Sequence, residues 1–104
     1  MQRLAFKMKL LPGNLPEYKQ RHDTIWLELS ALLKNAGISD YSIFIDETTN
    51  TLFATMKILD KAALQKLSQE PVMKKWWSYM KDIMETNTDD SPVSIPLQEV
   101  FYLR

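Results

Sequence analysis

Apolar and polar residues alternate at the start of the chain, with Leu4, Phe6, Met8 and Leu10 set against Arg3, Lys7 and Lys9. A period of two predicts a β-strand with one buried face, ended by Pro12-Gly13. Asn14-Leu15-Pro16-Glu17 then reads as a helix start, with Asn14 as cap, Pro16 in the first turn and Glu17 placed to reach back to the cap amide. Tyr18, Ile25, Leu29, Leu32, Leu33 and Ala36 follow helical spacing, so one continuous helix is predicted to about Ala36, with Gly37 as a left-handed stop. Residues 41–45 and 52–58 are β-branched and aromatic runs, and the turn-prone residues 46–50 between them predict a hairpin. A short helix is expected over 61–68, and a second helical stretch over 72–84 brings Trp76, Trp77, Met80 and Met84 close together. Residues 85–96 read as a polar loop and 97–103 as a closing strand.

The resulting order, β-α-β-β-α-β, predicts an α+β fold of the ferredoxin-like type, an antiparallel sheet with helices on one face. Phe44, Phe53 and Tyr102 would fall on the sheet face opposite Ile43, Leu52 and Phe101, which makes both faces partly apolar. Helices cover only one of them, so a homodimer with two-fold symmetry is expected over the other. There is no internal repeat, linker or low-complexity segment, and residues 1–104 are expected to form a single domain.

Composition narrows the chemistry. A chain of 104 residues with 45% hydrophobic content supports one core, and chains this short bury only about 60 to 68% of their surface on folding. Thirteen basic residues balance thirteen acidic ones with no basic stripe or glycine-rich phosphate loop, so nucleic acid is not an expected partner. The apolar runs are short and broken by charges, which predicts neither a signal peptide nor a transmembrane span and places the protein in the cytoplasm. With no cysteine and one histidine, thiolate catalysis and a typical zinc or iron site are excluded. An enzyme of this composition is expected to work without metal or cofactor.

That histidine, His22, is the only side chain whose ordinary pKa lies near neutrality. On a helix, Tyr18 and His22 stand one turn apart on the side that carries Ile25 and Leu29. A structural hydrogen-bonder is the plainer role for a lone histidine on such a face. Asp23 points about 100° away and is not an obvious orienting partner. Trp76 and Trp77 diverge by the same angle, so one can pack in the core while the other walls a cleft, or both can line the cleft from different sides. The start of the first helix and the middle of the last can approach each other over the sheet, which would gather Tyr18, His22, Tyr41, Trp76 and Trp77. Indole walls, phenol hydroxyls and one imidazole suit a small polar ring with apolar C–H faces, such as a monosaccharide. Asp46, Glu47, Asp60, Glu70, Asp82, Asp89 and Asp90 mostly fall at turns or helix ends and read as solvated, which gives a paired-carboxylate glycosidase no support. Residues 89–92 could fold over a ligand or form a plain surface loop.

These residues carry a resemblance. Ala5-Phe6, Glu17-Tyr18, Arg21-His22 with Ile25-Trp26, Tyr41, Leu52-Phe53-Ala54, Trp76-Trp77 with Tyr79-Met80, Ser91-Pro92-Val93 and the ending from Leu97 to Leu103 occur in an order and spacing that resemble the L-rhamnose mutarotases over nearly the whole chain. The resemblance implies a dimeric ferredoxin-like α+β barrel protein of the cytoplasm that interconverts rhamnose anomers, with His22 as proton donor and Tyr18, Tyr41, Trp76 and Trp77 as sugar contacts. Its loop departs from the family pattern at Thr88 and Asp90, where the family has Pro and Asn, which bears on lid rigidity and substrate discrimination. Anomers exchange by ring opening: a proton reaches the ring oxygen as another leaves the anomeric hydroxyl, the aldehyde rotates, and the ring recloses. One positioned acid–base group, worth typically about 10²–10⁴-fold, suffices for so modest a barrier. If His22 acts as an imidazolium acid, activity should fall as it deprotonates. Two other readings remain open at this level: a cofactor-free monooxygenase on the same fold, and a non-catalytic binding or interaction module.

Overall fold

The computed structural model describes residues 1–104. Its elements are β1 (Gln2–Lys9), α1 (Leu15–Asp23), α2 (Leu27–Asn35), β2 (Ile38–Asp46), β3 (Thr51–Ile58), α3 (Lys61–Lys66), α4 (Pro71–Met80) and β4 (Ser94–Leu97), with one 3₁₀ turn, Leu67–Gln69, after α3. The four strands form one sheet in the order β2-β3-β1-β4, and every neighbouring pair is antiparallel. β3 thus lies between β1 and β2, as the ferredoxin-like order requires. The predicted alternation holds in β1 and β3: Met8, Leu52, Ala54, Met56 and Ile58 are buried beneath the helices, joined there by Leu10, Leu29, Trp76 and Met80.

The expected single helix over 15–36 is two helices. Thr24 donates both its amide (3.1 Å) and its hydroxyl (3.0 Å) to the Gln20 carbonyl, Ile25 N–H turns back tightly to His22 O (3.2 Å), and Trp26 is extended at φ −59°, ψ 134°. Two β-branched residues in a row are weak helix formers. The break also frees Trp26 to stack on Tyr79 (5.5 Å, 30°) and to meet Trp76 edge-on (5.1 Å, 87°). Asn14 occupies the cap position, yet its side chain donates to Leu11 O and Pro12 O (both 3.1 Å), and Glu17 pairs with Arg21 (2.8 Å) instead of reaching back. Gly37 does adopt the left-handed conformation, at φ 86°.

The last helix stops at Met80, four residues short of expectation. In a longer helix the Tyr79 carbonyl would accept from Ile83 N–H; here it accepts from Arg21 Nη1 at 2.8 Å, and Ile83 N–H turns to Met80 O at 3.1 Å. The closing strand is Ser94–Leu97 and not 97–103. Its register pairs Ala5 with Leu97 and Met8 with Ser94, so residues beyond about 100 run past the start of β1 and find no backbone partner in this chain. Arg3 forms a fork to Glu99 (2.9 Å to each oxygen) and covers the Tyr102 ring at 3.3 Å, which holds the tail beside the sheet.

Candidate active site

An irregularity in β2 aims Tyr41. Ile38 and Ser39 pair with Ile58 and Lys57, but Ser42 pairs with Thr55, which leaves one extra residue on β2 between them, and Asp40 there sits at φ 49°. A bulge reverses which side chains face inward. Ile38 faces the core before it, and Ile43 and Ile45 face the core after it, so Tyr41 shares their side and reaches under the helices. In an unbroken strand it would point away.

α1 supplies Tyr18 and His22, and α4 supplies Trp76 and Trp77. The Tyr18 and His22 rings lie 4.3 Å apart, and the His22 and Trp76 rings stand nearly perpendicular, 5.4 Å between centroids at 89°. Arg21 ties the two helices together: its guanidinium bonds Asp82 (2.9 and 3.2 Å), Glu17 (2.8 Å) and the Tyr79 carbonyl, and stacks over the Tyr79 ring at 4.4 Å. All five residues singled out in the sequence line one cleft of about 800 Å³ and, at its end, a recess of about 70 Å³. Ligand clefts commonly measure about 300–1,000 Å³. Both tryptophans line the cleft and the recess, Trp76 from a buried position, 7% exposed, and Trp77 half-buried.

His22 is half-buried, and its Nδ1 lies 3.0 Å from the Tyr18 carbonyl. A carbonyl only accepts, so Nδ1 carries the proton and Nε2 is left with its lone pair. Burial lowers the His22 pKa from its ordinary value, opposed by that carbonyl and by Asp23. Asp23 itself pairs with Lys19 at 2.8 Å, as its direction on the helix predicts. The imidazole is therefore oriented by backbone rather than by a carboxylate. Burial also raises the pKa of Tyr18, with a smaller push from the nearby Tyr41 phenol, and takes that of Tyr41 up to about 12, although the Tyr41 residue as a whole is 39% exposed. Both phenols stay protonated near neutrality and can donate or accept hydrogen bonds.

Beyond those five, the recess takes in Met8, Met73 and Met84 and, from the segment before β4, Thr86, Asp90 and Pro92; Met73 and Thr86 carry no signal in the sequence, whereas residues 89–92 read there as a loop that could fold over a ligand. That segment arrives because Leu11 N–H bonds Ile83 O (2.9 Å) and Glu85 N–H bonds Lys9 O (3.1 Å), pinning it to the end of β1. No local motif announces such a crossing. Asp82, read as solvated, binds Arg21, and Asp90, on the loop that the sequence left open as a ligand cover or a plain surface loop, lines the recess. The Arg21–Glu17 half of the clamp was visible as an i, i+4 pair.

Fold and recess together define a small ferredoxin-like α+β protein with an aromatic pocket around one titratable imidazole. Comparison with known proteins narrows this class: residues 3–103 match the L-rhamnose mutarotase family, and the chain belongs to it. It is 58% identical over 103 residues to an L-rhamnose mutarotase of Formosa agariphila, covering 99% of each chain, and 54% identical, with the same coverage, to one of Bacteroides thetaiotaomicron. It is also similar to the crystal structure of an L-rhamnose mutarotase from Formosa agariphila, at a TM-score of 0.93 and 56% identity over the full length of both. An antibiotic biosynthesis monooxygenase superposes at a TM-score of 0.58 and 13% identity, covering 96% of this chain and 99% of that one, a likeness of fold alone.

Proposed function

We propose that the protein is an isomerase, an L-rhamnose 1-epimerase that interconverts the α and β anomers of L-rhamnose. The observation that carries the mechanism is the histidine tautomer: Nδ1–H is held by the Tyr18 carbonyl, and Nε2 is the free nitrogen of a ring lining the recess. Because burial favours the neutral ring, His22 begins as a base, where the sequence alone suggested an imidazolium acid. Nε2 takes the proton of the anomeric hydroxyl; the C1–O1 bond becomes a carbonyl as the bond from C1 to the ring oxygen breaks. The imidazolium so formed returns its proton to the ring oxygen, which is attached to the same carbon and lies within reach of the same nitrogen. The aldehyde rotates about C1–C2, and the reverse transfers close the ring on its other face. Atoms and charge balance with no redox change. Tyr18 and Tyr41 hold hydroxyls, and Trp76 and Trp77 cover the C–H faces of the sugar.

No helix is long and apolar enough to cross a membrane, and a cytoplasmic enzyme acting on a small sugar is the reading this supports. A homodimer through the sheet face away from the helices completes it. Phe44 on that face is 63% exposed; Phe53 stands opposite it in the register, and Ile95 and Leu97 lie exposed at the other edge. A dimer mass in sedimentation, lost on Phe44→Asp, would support that assembly, and a monomer at all concentrations would exclude it. The function itself is tested by NMR magnetisation transfer between the α and β anomeric protons of L-rhamnose. Wild type should accelerate exchange, and a folded His22→Ala protein should lose about 10²–10⁴-fold of it. Acceleration retained in the variant removes His22 from the mechanism; affinity without acceleration in wild type points to a binding module.

A further inference from the structure

Nearly every polar group in the recess other than His22 is a phenol, an indole or a hydroxyl; the exception is Asp90, its one carboxylate. The loop that carries it is braced without it. Asn87 N–H bonds Ser91 O at 2.7 Å, Asn87 Nδ2 bonds the Ser91 hydroxyl at 3.0 Å, and the Asp89 carboxylate accepts from Ser91 N–H at 3.0 Å and from the Ser91 hydroxyl. Asp90 contributes only its backbone N–H, to Asn87 O at 3.0 Å. Its carboxylate meets one side chain, Lys81, at a long 3.6 Å, and its side chain remains 34% exposed in a recess also lined by the buried Met8, Met80 and Met84.

We propose that Asp90 is a specificity-determining residue of the proposed mutarotase, the acceptor that takes sugar hydroxyl hydrogens in the recess while His22 works on the anomeric carbon. A pyranose presents several O–H donors, and the Nε2 lone pair is engaged by the reaction. A carboxylate has two oxygens and only accepts, so it can hold two adjacent hydroxyls at once, and its hydrogen bonds are the stronger, charge-assisted kind. Lys81, itself half-exposed, meets the carboxylate only at 3.6 Å and leaves its accepting positions open. Methionine and tryptophan around it lower the local polarity, which makes the absence of a matching hydroxyl on a ligand more damaging.

This inference rests on the proposed function, and the experiment separates the two. Asp90 sits at φ 71°, a conformation that asparagine tolerates and glycine adopts freely, so Asp90→Asn and Asp90→Gly are expected to melt with wild type. Exchange kinetics are measured for all three proteins with L-rhamnose and with its 2-, 3- and 4-deoxy analogues. KM for L-rhamnose should rise about 10- to 100-fold in Asp90→Gly, the loss of one or two charge-assisted hydrogen bonds, and less in Asp90→Asn, the residue of the family pattern, whose amide oxygen still accepts. In wild type at least one deoxy analogue should show a similar rise, and for that analogue the variants should add less than about threefold, because the partner hydroxyl is already gone. A KM for L-rhamnose within about twofold of wild type in Asp90→Gly, or additive losses for every analogue, overturns the assignment of Asp90 and leaves the mutarotase standing. No acceleration by wild type removes both.

Discussion

Adjacent tryptophans with different surroundings should separate stability from ligand contact. Trp76 is 7% exposed and meets three rings: His22 at 5.4 Å, Trp26 at 5.1 Å and Tyr79 at 5.7 Å. Each such pair is worth about 0.5–1.5 kcal/mol beyond the area it buries. Trp76→Phe keeps one ring where there were two, so about half of three pairings is lost, roughly 1–2 kcal/mol, and the void left by the smaller ring adds about 1 kcal/mol. For a domain of this size, about 2–3 kcal/mol lowers Tm on the order of 10–20 °C. Trp77 makes no ring–ring contact of this kind and stands half-buried on the cleft wall, so Trp77→Phe should cost less than about 1 kcal/mol. Thermal and urea unfolding by circular dichroism at about pH 8, where His22 is neutral in both states, measure the difference. The exchange assay should show weakened sugar affinity in Trp77→Phe despite its near-normal melting. Equal melting losses, or a larger loss at position 77, would refute the division of labour between the two residues.

Three further outcomes follow from the same geometry. Gly37→Ala should cost about 1–3 kcal/mol in urea unfolding, since φ is 86° and an added Cβ would stand 3.1 Å from Leu59 Cβ; a neutral result would mean that the helix stop does not need the left-handed turn. Arg21→Lys loses the fork to Asp82 and the Tyr79 carbonyl, yet Asp82 and Glu17 are largely solvated, so the loss should be only about 1 kcal/mol; a loss above about 3 kcal/mol would show the clamp to be more deeply desolvated. Because burial lowers the His22 pKa, the unfolded chain takes up the proton first. The His22 contribution to stability is therefore present above about pH 6.5 and is lost as pH falls through the folded value, a slope that His22→Gln should flatten in acid-range unfolding.

The order of elements was legible because two periods, near two in β1 and β3 and near 3.6 in the helices, dominate the pattern. The break at Thr24–Trp26 was not, because the apolar stripe from Tyr18 through Ile25 to Leu29 continues across it, and the weak helix formers Thr24-Ile25 give way where Trp26 swings toward Tyr79. Residues 97–103 look like a strand because they are apolar and aromatic, but strand pairing depends on the partner, and β1 runs out near Gln2. The five residues proposed for the site were open to selection from helix faces, aromatic chemistry and resemblance, and the structure brings them to one cleft. What placed Tyr41 beside the others was the extra residue in β2, and a bulge of that kind carries no reliable local signature. The sequence leaves residues 89–92 open between a loop over a ligand and a plain surface loop, because the position of Asp90 depends on backbone bonds from Leu11 and Glu85, far from it in sequence or at the loop's base.

The central claim is that a neutral imidazole, oriented by the Tyr18 carbonyl, carries the proton between the two oxygens of the anomeric carbon. The most direct test is the pH dependence of kcat/KM for L-rhamnose anomer exchange, followed by NMR from about pH 5 to 9 and corrected for the uncatalysed rate. The account predicts a rise through one ionisation below the ordinary histidine value of about 6.5, then a plateau, with the ionisation absent in His22→Ala. A flat profile, or one that falls as His22 loses its proton, would contradict it.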